Sequence, residues 1–116
     1  MKIEFFYYQD CPSYKKALNR LREALVCEKI QEDIQVTEVN NEQHAIDLNF
    51  VGSPTIRING LDMEQPQPGP PYRCTCRVYN LDDGRISPVP SLEMIRRAFQ
   101  THFKDKYSKE SITQKE

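Results

Sequence analysis

The first half of the chain alternates between short apolar segments and one longer segment with helical spacing. Residues 2–8 predict a strand, because apolar and aromatic side chains dominate the segment. The segment from Pro12 to about Cys27 predicts a helix, since its apolar residues recur every three or four positions. Those residues are Tyr14, Ala17, Leu18, Leu21 and Leu25. Residues 34–39 alternate apolar and polar side chains, which predicts a second strand.

The middle of the chain predicts a short helix, a turn and a third strand. Asn40 or Asn41 provides a side-chain cap for a helix that ends at about Leu48. Residues 50–54 contain Gly and Pro and predict a turn. The third strand then covers Thr55–Ile58, a short apolar segment interrupted by one arginine.

A hairpin and a proline-rich segment follow the third strand. Asn59-Gly60 is a strong signal for a tight hairpin, because both residues tolerate a positive φ. Residues 61–63 are the predicted returning strand. Residues 65–71 contain four prolines, which exclude a regular helix or a central strand and predict an extended loop.

The C-terminal part predicts an accessory hairpin and a last helix. Residues 73–79 can pair with residues 85–87, and Pro90-Ser91 begins a helix that runs to about His102. The resulting order, βαβαββα, predicts an α/β domain over residues 1–103 with a central mixed sheet flanked by helices. Residues 104–116 are polar and are expected to form a flexible C-terminal tail.

Composition and charge narrow the classes of function. The chain has 116 residues, 38% of them hydrophobic and 28% charged, with a formal net charge of −1. This length suits one domain, and the near-neutral charge gives no support for a nucleic-acid or membrane partner. The N-terminus lacks the pattern of a signal peptide, so we expect a cytoplasmic protein. Thiols stay reduced there, which favours reactive, metal-binding or buried roles for the four cysteines over a static disulfide framework.

Cys11 is the strongest candidate for chemistry. It follows the first predicted strand and precedes Pro12, where the first helix is predicted to begin. The positive end of a helix stabilises a thiolate, so the Cys11 sulfur is expected to be a nucleophile or a soft-metal ligand. The alternative is a buried cysteine with a structural role. The second cysteine of a C-x-x-C motif would fall at position 14, which is Tyr14.

Three motifs occur in order along the chain: Phe5-Phe6-Tyr7-Tyr8-Gln9-Asp10-Cys11-Pro12, Gly52-Ser53-Pro54-Thr55-Ile56 and Ile58-Asn59-Gly60. Together they resemble the thioredoxin-like superfamily over about residues 1–103. The resemblance implies a thioredoxin-like fold with Cys11 as the active cysteine and Pro54 as a cis proline directly before the third strand. Backbone groups at Ser53 and Pro54 would then offer hydrogen bonds to a bound thiol or peptide. Pro12 and Ser13 are expected beside the same substrate site. Ser13 is either a polar residue that begins the helix or a hydrogen-bond donor to the Cys11 thiolate.

Cys74 and Cys76 are the candidates for a second thiol. If they lie in a strand, both side chains point to the same face, and the two sulfurs converge on one place. If residues 61–63 form the returning strand, the insertion that follows lies at the same end of the sheet as Cys11. If residues 73–79 form it instead, Cys74 begins at the opposite end. The Asn59-Gly60 signal favours the first arrangement, in which Cys74 or Cys76 reaches Cys11.

These observations lead to three functional hypotheses. The first is thiol–disulfide exchange through Cys11 on a protein or small-molecule substrate, with Cys76 or Cys74 as a distal resolving cysteine and no cofactor. The second is a non-catalytic binding module of the same fold. The third is a soft-metal site, for example for mercury, formed by the thiolates of Cys11, Cys74 and Cys76.

Overall fold

Four strands form a central mixed sheet in the part of the chain that this computed structural model describes, residues 1–64 and 68–102. They are β1 (Ile3–Tyr7), β2 (Ile34–Glu38), β3 (Thr55–Ile58) and β4 (Leu61–Asp62), in the spatial order β2-β1-β3-β4. β1 runs parallel to β2 and antiparallel to β3, and β4 runs antiparallel to β3. β1 is a central strand, and Cys11 follows four residues after its last residue, Tyr7. Cys11 therefore lies beyond the end of a central strand and not at an edge of the sheet.

Three helices in the described part of the chain cover the two faces of this sheet: α1 (Tyr14–Cys27), α2 (Glu42–Leu48) and α3, residues 92–102. Consecutive strand residues point to opposite faces, and Phe5 and Phe6 accordingly belong to different cores. One core gathers apolar residues of the sheet, α1 and α3: Ile3, Phe5, Ala17, Leu21, Ala24, Leu25, Ile56, Ile58, Val89, Ile95 and Phe99. The other gathers Phe6, Val39, Ala45 and Phe50. The prediction of a mixed α/β sheet flanked by helices is therefore confirmed.

The structure confirms the predicted start of α2 and the predicted turn after β3. Asn41 caps α2 through its Oδ1 atom, which accepts a hydrogen bond from the backbone N–H of His44 at 2.9 Å. Asn59 and Gly60 have φ values of 55° and 83°, as a tight hairpin turn between β3 and β4 requires. α1 begins at Tyr14 rather than at Pro12 as predicted, because the chain first turns, with the N–H of Cys11 bonded to the carbonyl of Tyr8 at 3.0 Å.

The accessory hairpin is shorter than predicted. β5 (Tyr79–Asn80) pairs with β6 (Ile86–Ser87) across the predicted turn, whereas residues 73–79 were expected to take part as a whole. The reason is that residues 75–77 bond to Ser53 instead of to the second strand of the hairpin. The element order therefore contains one more strand pair than βαβαββα. The predicted tail, residues 104–116, and part of the proline-rich loop, residues 65–67, lie outside the described residues.

Across the two described ranges, none of the helices combines the length and apolar character needed to cross a membrane.

Candidate functional site

Cys11 and Cys76 form a disulfide bond. Their Cα atoms are 5.7 Å apart, although 65 positions separate them in the sequence. The prediction that a distal cysteine reaches Cys11 is thus confirmed for Cys76. The returning strand is β4, as the Asn59-Gly60 signal indicated, so the insertion comes back to the end of the sheet at which Cys11 lies. The two partners differ in exposure: Cys11 is 2% exposed, whereas Cys76 is an exposed residue.

Cys11 lies ahead of a helix whose first turn favours negative charge. Ser13 is the N-cap of α1, and within the described structure its side chain makes no capping hydrogen bond to the helix. The first turn, residues 14–17, contains two lysines and no acidic residue. Pro12 is exposed and Ser13 is half-buried. The helix dipole favours a negative charge near this end of α1, which begins three residues after Cys11.

Ser53 joins the two segments that carry the cysteines. Its N–H donates to the carbonyl of Thr75 at 2.8 Å, and its carbonyl accepts from the N–H of Arg77 at 3.1 Å, in a parallel pairing centred on Cys76. Its Oγ atom accepts from the N–H of Tyr8 at 2.9 Å, at the end of β1. Ser53 is only 1% exposed. The backbone groups expected to serve a bound thiol or peptide are therefore occupied by the chain's own segment, residues 75–77.

Pro54 follows in a cis peptide bond directly before β3, as the resemblance implied. Its carbonyl accepts a hydrogen bond from the phenol of Tyr79 at 2.5 Å. Tyr79 is fully buried, and burial raises the pKa of its phenol, so the group stays neutral and keeps its proton as a donor. Tyr79 thus holds the chain that follows Cys76 against the turn before β3, the same turn to which Ser53 holds residues 75–77.

Arg77, the residue after Cys76, anchors the segment with a buried charged group. Its Nη1 atom lies 2.7 Å from Oδ2 of Asp62, and its Nη2 atom lies 3.5 Å from Oε2 of Glu64. Its guanidinium carbon lies 4.4 Å from the ring centre of Tyr79. The Arg77 and Asp62 side chains are 10% and 6% exposed. No local spacing links position 77 to positions 62 and 64, so the sequence alone does not predict this cluster.

Gly52 is required by the close approach of Arg77. Its φ of 143° is a conformation that side chains disfavour, and a Cβ atom added there would lie 2.7 Å from the Cβ atom of Arg77. The glycine therefore lets the backbone on either side of Cys76 pack directly against the turn before β3.

Cys74 does not join the pair. The condition for the Cys74 and Cys76 sulfurs to converge is not met, because the chain bends at Cys74 and the two residues do not share a strand. Cys74 packs instead against the core of Phe6, Val39, Ala45 and Phe50. Burial raises the pKa of its thiol, and the carboxylate of Glu42 raises it further. A resolving role for Cys74 is therefore less favoured than the same role for Cys76.

The remaining free cysteine in the described structure is Cys27, which is exposed at the last residue of α1. A helix of 14 residues is about 20 Å long, so Cys27 lies far from Cys11. Among the described residues, no group of three or more His, Cys, Asp or Glu side chains has an arrangement that could hold a metal ion. The three thiolates of the soft-metal hypothesis are accordingly not brought together.

Comparison with protein-family models, curated proteins and solved structures finds no match to this chain. The chemistry of the Cys11–Cys76 pair and its surroundings is therefore the basis on which a function is assigned.

Proposed function

We propose that this chain is a thioredoxin-like protein that carries out thiol–disulfide exchange through the Cys11–Cys76 pair. The observation that carries the proposal is the disulfide itself, which links Cys11, three residues before α1, to an exposed cysteine at the same end of the sheet. The position of Pro54 directly before β3 and the cysteine ahead of the first helix support the resemblance. The substrate class is a disulfide in a protein or a small thiol compound.

The reaction is a two-electron exchange between sulfur atoms. In the reducing direction, the Cys11 and Cys76 thiols lose two protons and two electrons and form their mutual S–S bond. The substrate's S–S bond is broken, and its two sulfurs take up the electrons and protons as thiols. A dithiol reductant then reverses the change in the protein. The sulfur atoms carry all the electrons, so the reaction requires no metal or organic cofactor.

The surroundings of Cys76 favour repeated exchange, since they hold the segment without the disulfide. The hydrogen bonds of Ser53 to Thr75 and Arg77, together with the ion pair of Arg77 and Asp62, do not involve sulfur. They keep the Cys76 thiol near Cys11 after reduction. A held pair closes its disulfide quickly, because the second thiol acts at a high effective concentration.

The main competing role is a structural cross-link. A disulfide between residues separated by 65 positions restricts the unfolded chain and stabilises the fold by about 4 kcal/mol on the chain-entropy model. A purely structural disulfide and an exchanging one differ in reactivity toward thiols and in whether the reduced protein remains folded.

The reduction of insulin by dithiothreitol, followed as turbidity, separates the two roles. We expect the wild-type protein to accelerate precipitation, and Cys11→Ser or Cys76→Ser to abolish the acceleration. Cys27→Ser is the matched control, because Cys27 is a free, exposed cysteine at the far end of α1, and it should retain full activity. A wild-type protein that is no faster than dithiothreitol alone would contradict the proposal.

A further inference from the structure

The two residues of the pair differ in exposure. Cys11 is 2% exposed, whereas Cys76 is an exposed residue. From this difference, and resting on the exchange function proposed above, we infer that Cys76 is the sulfur that bonds covalently to the substrate, and that Cys11 is the internal thiol. This reverses the roles that the sequence resemblance implies for the two cysteines.

The exposure pattern around Cys76 shows which way its segment faces. Cys76 and Val78 are exposed, with Val78 at 54%, whereas the Arg77 side chain is 10% exposed and Tyr79 is fully buried. This alternation is the pattern of an extended strand with one face on the protein and one toward solvent. An incoming thiol therefore meets the Cys76 residue from the open side, whereas the protein itself covers Cys11.

Access and leaving-group chemistry select the same direction of attack. Thiol–disulfide exchange requires the attacking thiolate to reach one sulfur in line with the bond, and the other sulfur departs as a thiolate. The sulfur that departs most easily is the one whose thiolate is better stabilised. Cys11 lies three residues before α1, on the side of the helix end whose dipole favours a negative charge. Attack at Cys76 with departure of Cys11 therefore meets both requirements.

The steps balance in each direction. When a dithiol reduces the protein, one of its thiolates bonds to the Cys76 sulfur, the Cys11–Cys76 bond breaks, and Cys11 leaves as a thiolate. The second thiolate of the dithiol then attacks the dithiol sulfur of this mixed disulfide. The dithiol's own disulfide forms, and Cys76 is released as a thiolate. When the reduced protein acts on a substrate disulfide, Cys76 attacks it and expels one substrate thiolate. Cys11 then attacks the Cys76 sulfur and expels the other.

The test compares two variants that each keep one cysteine of the pair, both in a Cys27→Ser, Cys74→Ser background. The first carries Cys11→Ser and retains Cys76, and the second carries Cys76→Ser and retains Cys11. Oxidised glutathione is the probe, and intact mass measures formation of the mixed disulfide. We expect Cys76 to form it at least about tenfold faster than Cys11 in the folded proteins, because glutathione can reach the exposed residue and not the buried one. In denaturant the two rates should approach each other, because the difference in access is lost.

A second measurement leaves the pair intact. The oxidised wild-type chain is mixed with reduced glutathione, quenched with acid and digested, and the glutathionylated cysteine is identified by mass. Glutathione on Cys76 supports the inference, and glutathione mainly on Cys11 overturns it. Equal or faster reaction of Cys11 in the paired variants would overturn it as well. Either contrary result leaves the exchange function standing if the wild-type protein still reduces insulin, so the two proposals fail separately.

Discussion

The guanidinium of Arg77 and the carboxylate of Asp62 form a largely buried ion pair one residue beyond the disulfide, with Nη1 and Oδ2 2.7 Å apart. Asp62 is the last residue of β4, and Arg77 follows Cys76. The pair therefore ties the sheet directly to the segment that brings the second cysteine to Cys11. Three interactions therefore hold Cys76 in position: this ion pair, the hydrogen bonds of Ser53 and the disulfide itself.

Loss of the Arg77 charge should destabilise the fold strongly. Arg77→Met keeps most of the side-chain length but removes the positive charge that pairs with both Asp62 and Glu64, and we expect the free energy of unfolding to fall by about 3 kcal/mol. Arg85→Met is the matched control, because Arg85 pairs with Asp83 at an exposed site and should cost about 1 kcal/mol or less. Urea unfolding with the disulfide intact measures both, and equal costs would contradict the anchoring role of Arg77.

The close contact between Gly52 and Arg77 predicts that alanine at position 52 destabilises the fold more than alanine at another glycine with a positive φ. Gly52→Ala places a Cβ atom 2.7 Å from the Cβ atom of Arg77 at a φ of 143°, and we expect a loss of roughly 3 kcal/mol or more. Gly60→Ala tests the backbone effect alone. Gly60 also has a positive φ, 83°, but no described atom lies within 4 Å of an added Cβ, so the expected loss is about 1 kcal/mol.

Thermal or urea unfolding compares the two glycine variants. The Arg77 contact predicts that Gly52→Ala lowers the free energy of unfolding clearly more than Gly60→Ala does. Gly52→Ala should also slow closure of the Cys11–Cys76 disulfide, because it displaces the segment around Cys76. A Gly52→Ala protein as stable as Gly60→Ala would show that the segment can move away without cost.

Reduction of the disulfide should lower stability without unfolding the protein. The separation of 65 residues predicts a loss of about 4 kcal/mol, while Ser53 and Arg77 continue to hold the segment. Urea titrations of the oxidised and reduced protein, monitored by circular dichroism, measure the difference. Cys27→Ser, in the oxidised state, should match the wild type. A reduced protein that is unfolded in the absence of urea would assign the disulfide a structural role.

The free thiol of Cys74 should react slowly at neutral pH. Burial and the Glu42 carboxylate raise its pKa, so the thiolate fraction at a given pH is smaller than for an ordinary cysteine. We expect its alkylation by iodoacetamide to accelerate mainly at alkaline pH. Glu42→Gln removes the smaller of the two causes and should shift this profile toward lower pH. The measurement is mass mapping of alkylated Cys74 across a pH series, and a profile that is unchanged in Glu42→Gln would show that the carboxylate has no effect on the thiol.

The sequence predicted those parts of the structure that depend on local chemistry. β3 occurs at Thr55–Ile58 as expected, and Asn41 caps α2, because each depends on residues a few positions away. The Asn59-Gly60 turn also gave the correct end of the sheet for the insertion, which left Cys74 and Cys76 as alternatives for the partner of Cys11.

The remaining features depend on contacts between residues distant in the sequence. Because the chain bends at Cys74, Cys74 and Cys76 do not share a strand, and no local pattern around them distinguishes a bend from a strand. The pairing of Ser53 with residues 75–77 and the ion pair of Arg77 with Asp62 also cross many positions. Such contacts arise when the insertion packs on the sheet, and a single sequence contains no signal of that packing.

The central claim is that Cys11 and Cys76 form a reversible redox pair on a fold that persists in both states. Its most direct test is equilibration of the protein in glutathione buffers of graded redox potential, with acid quenching, mass mapping of disulfides and circular dichroism at each step. We predict one two-electron transition, confined to Cys11–Cys76, in which the circular dichroism stays that of the folded protein. A bond that opens only when the protein unfolds, or a bond between Cys11 and Cys74, would contradict the claim.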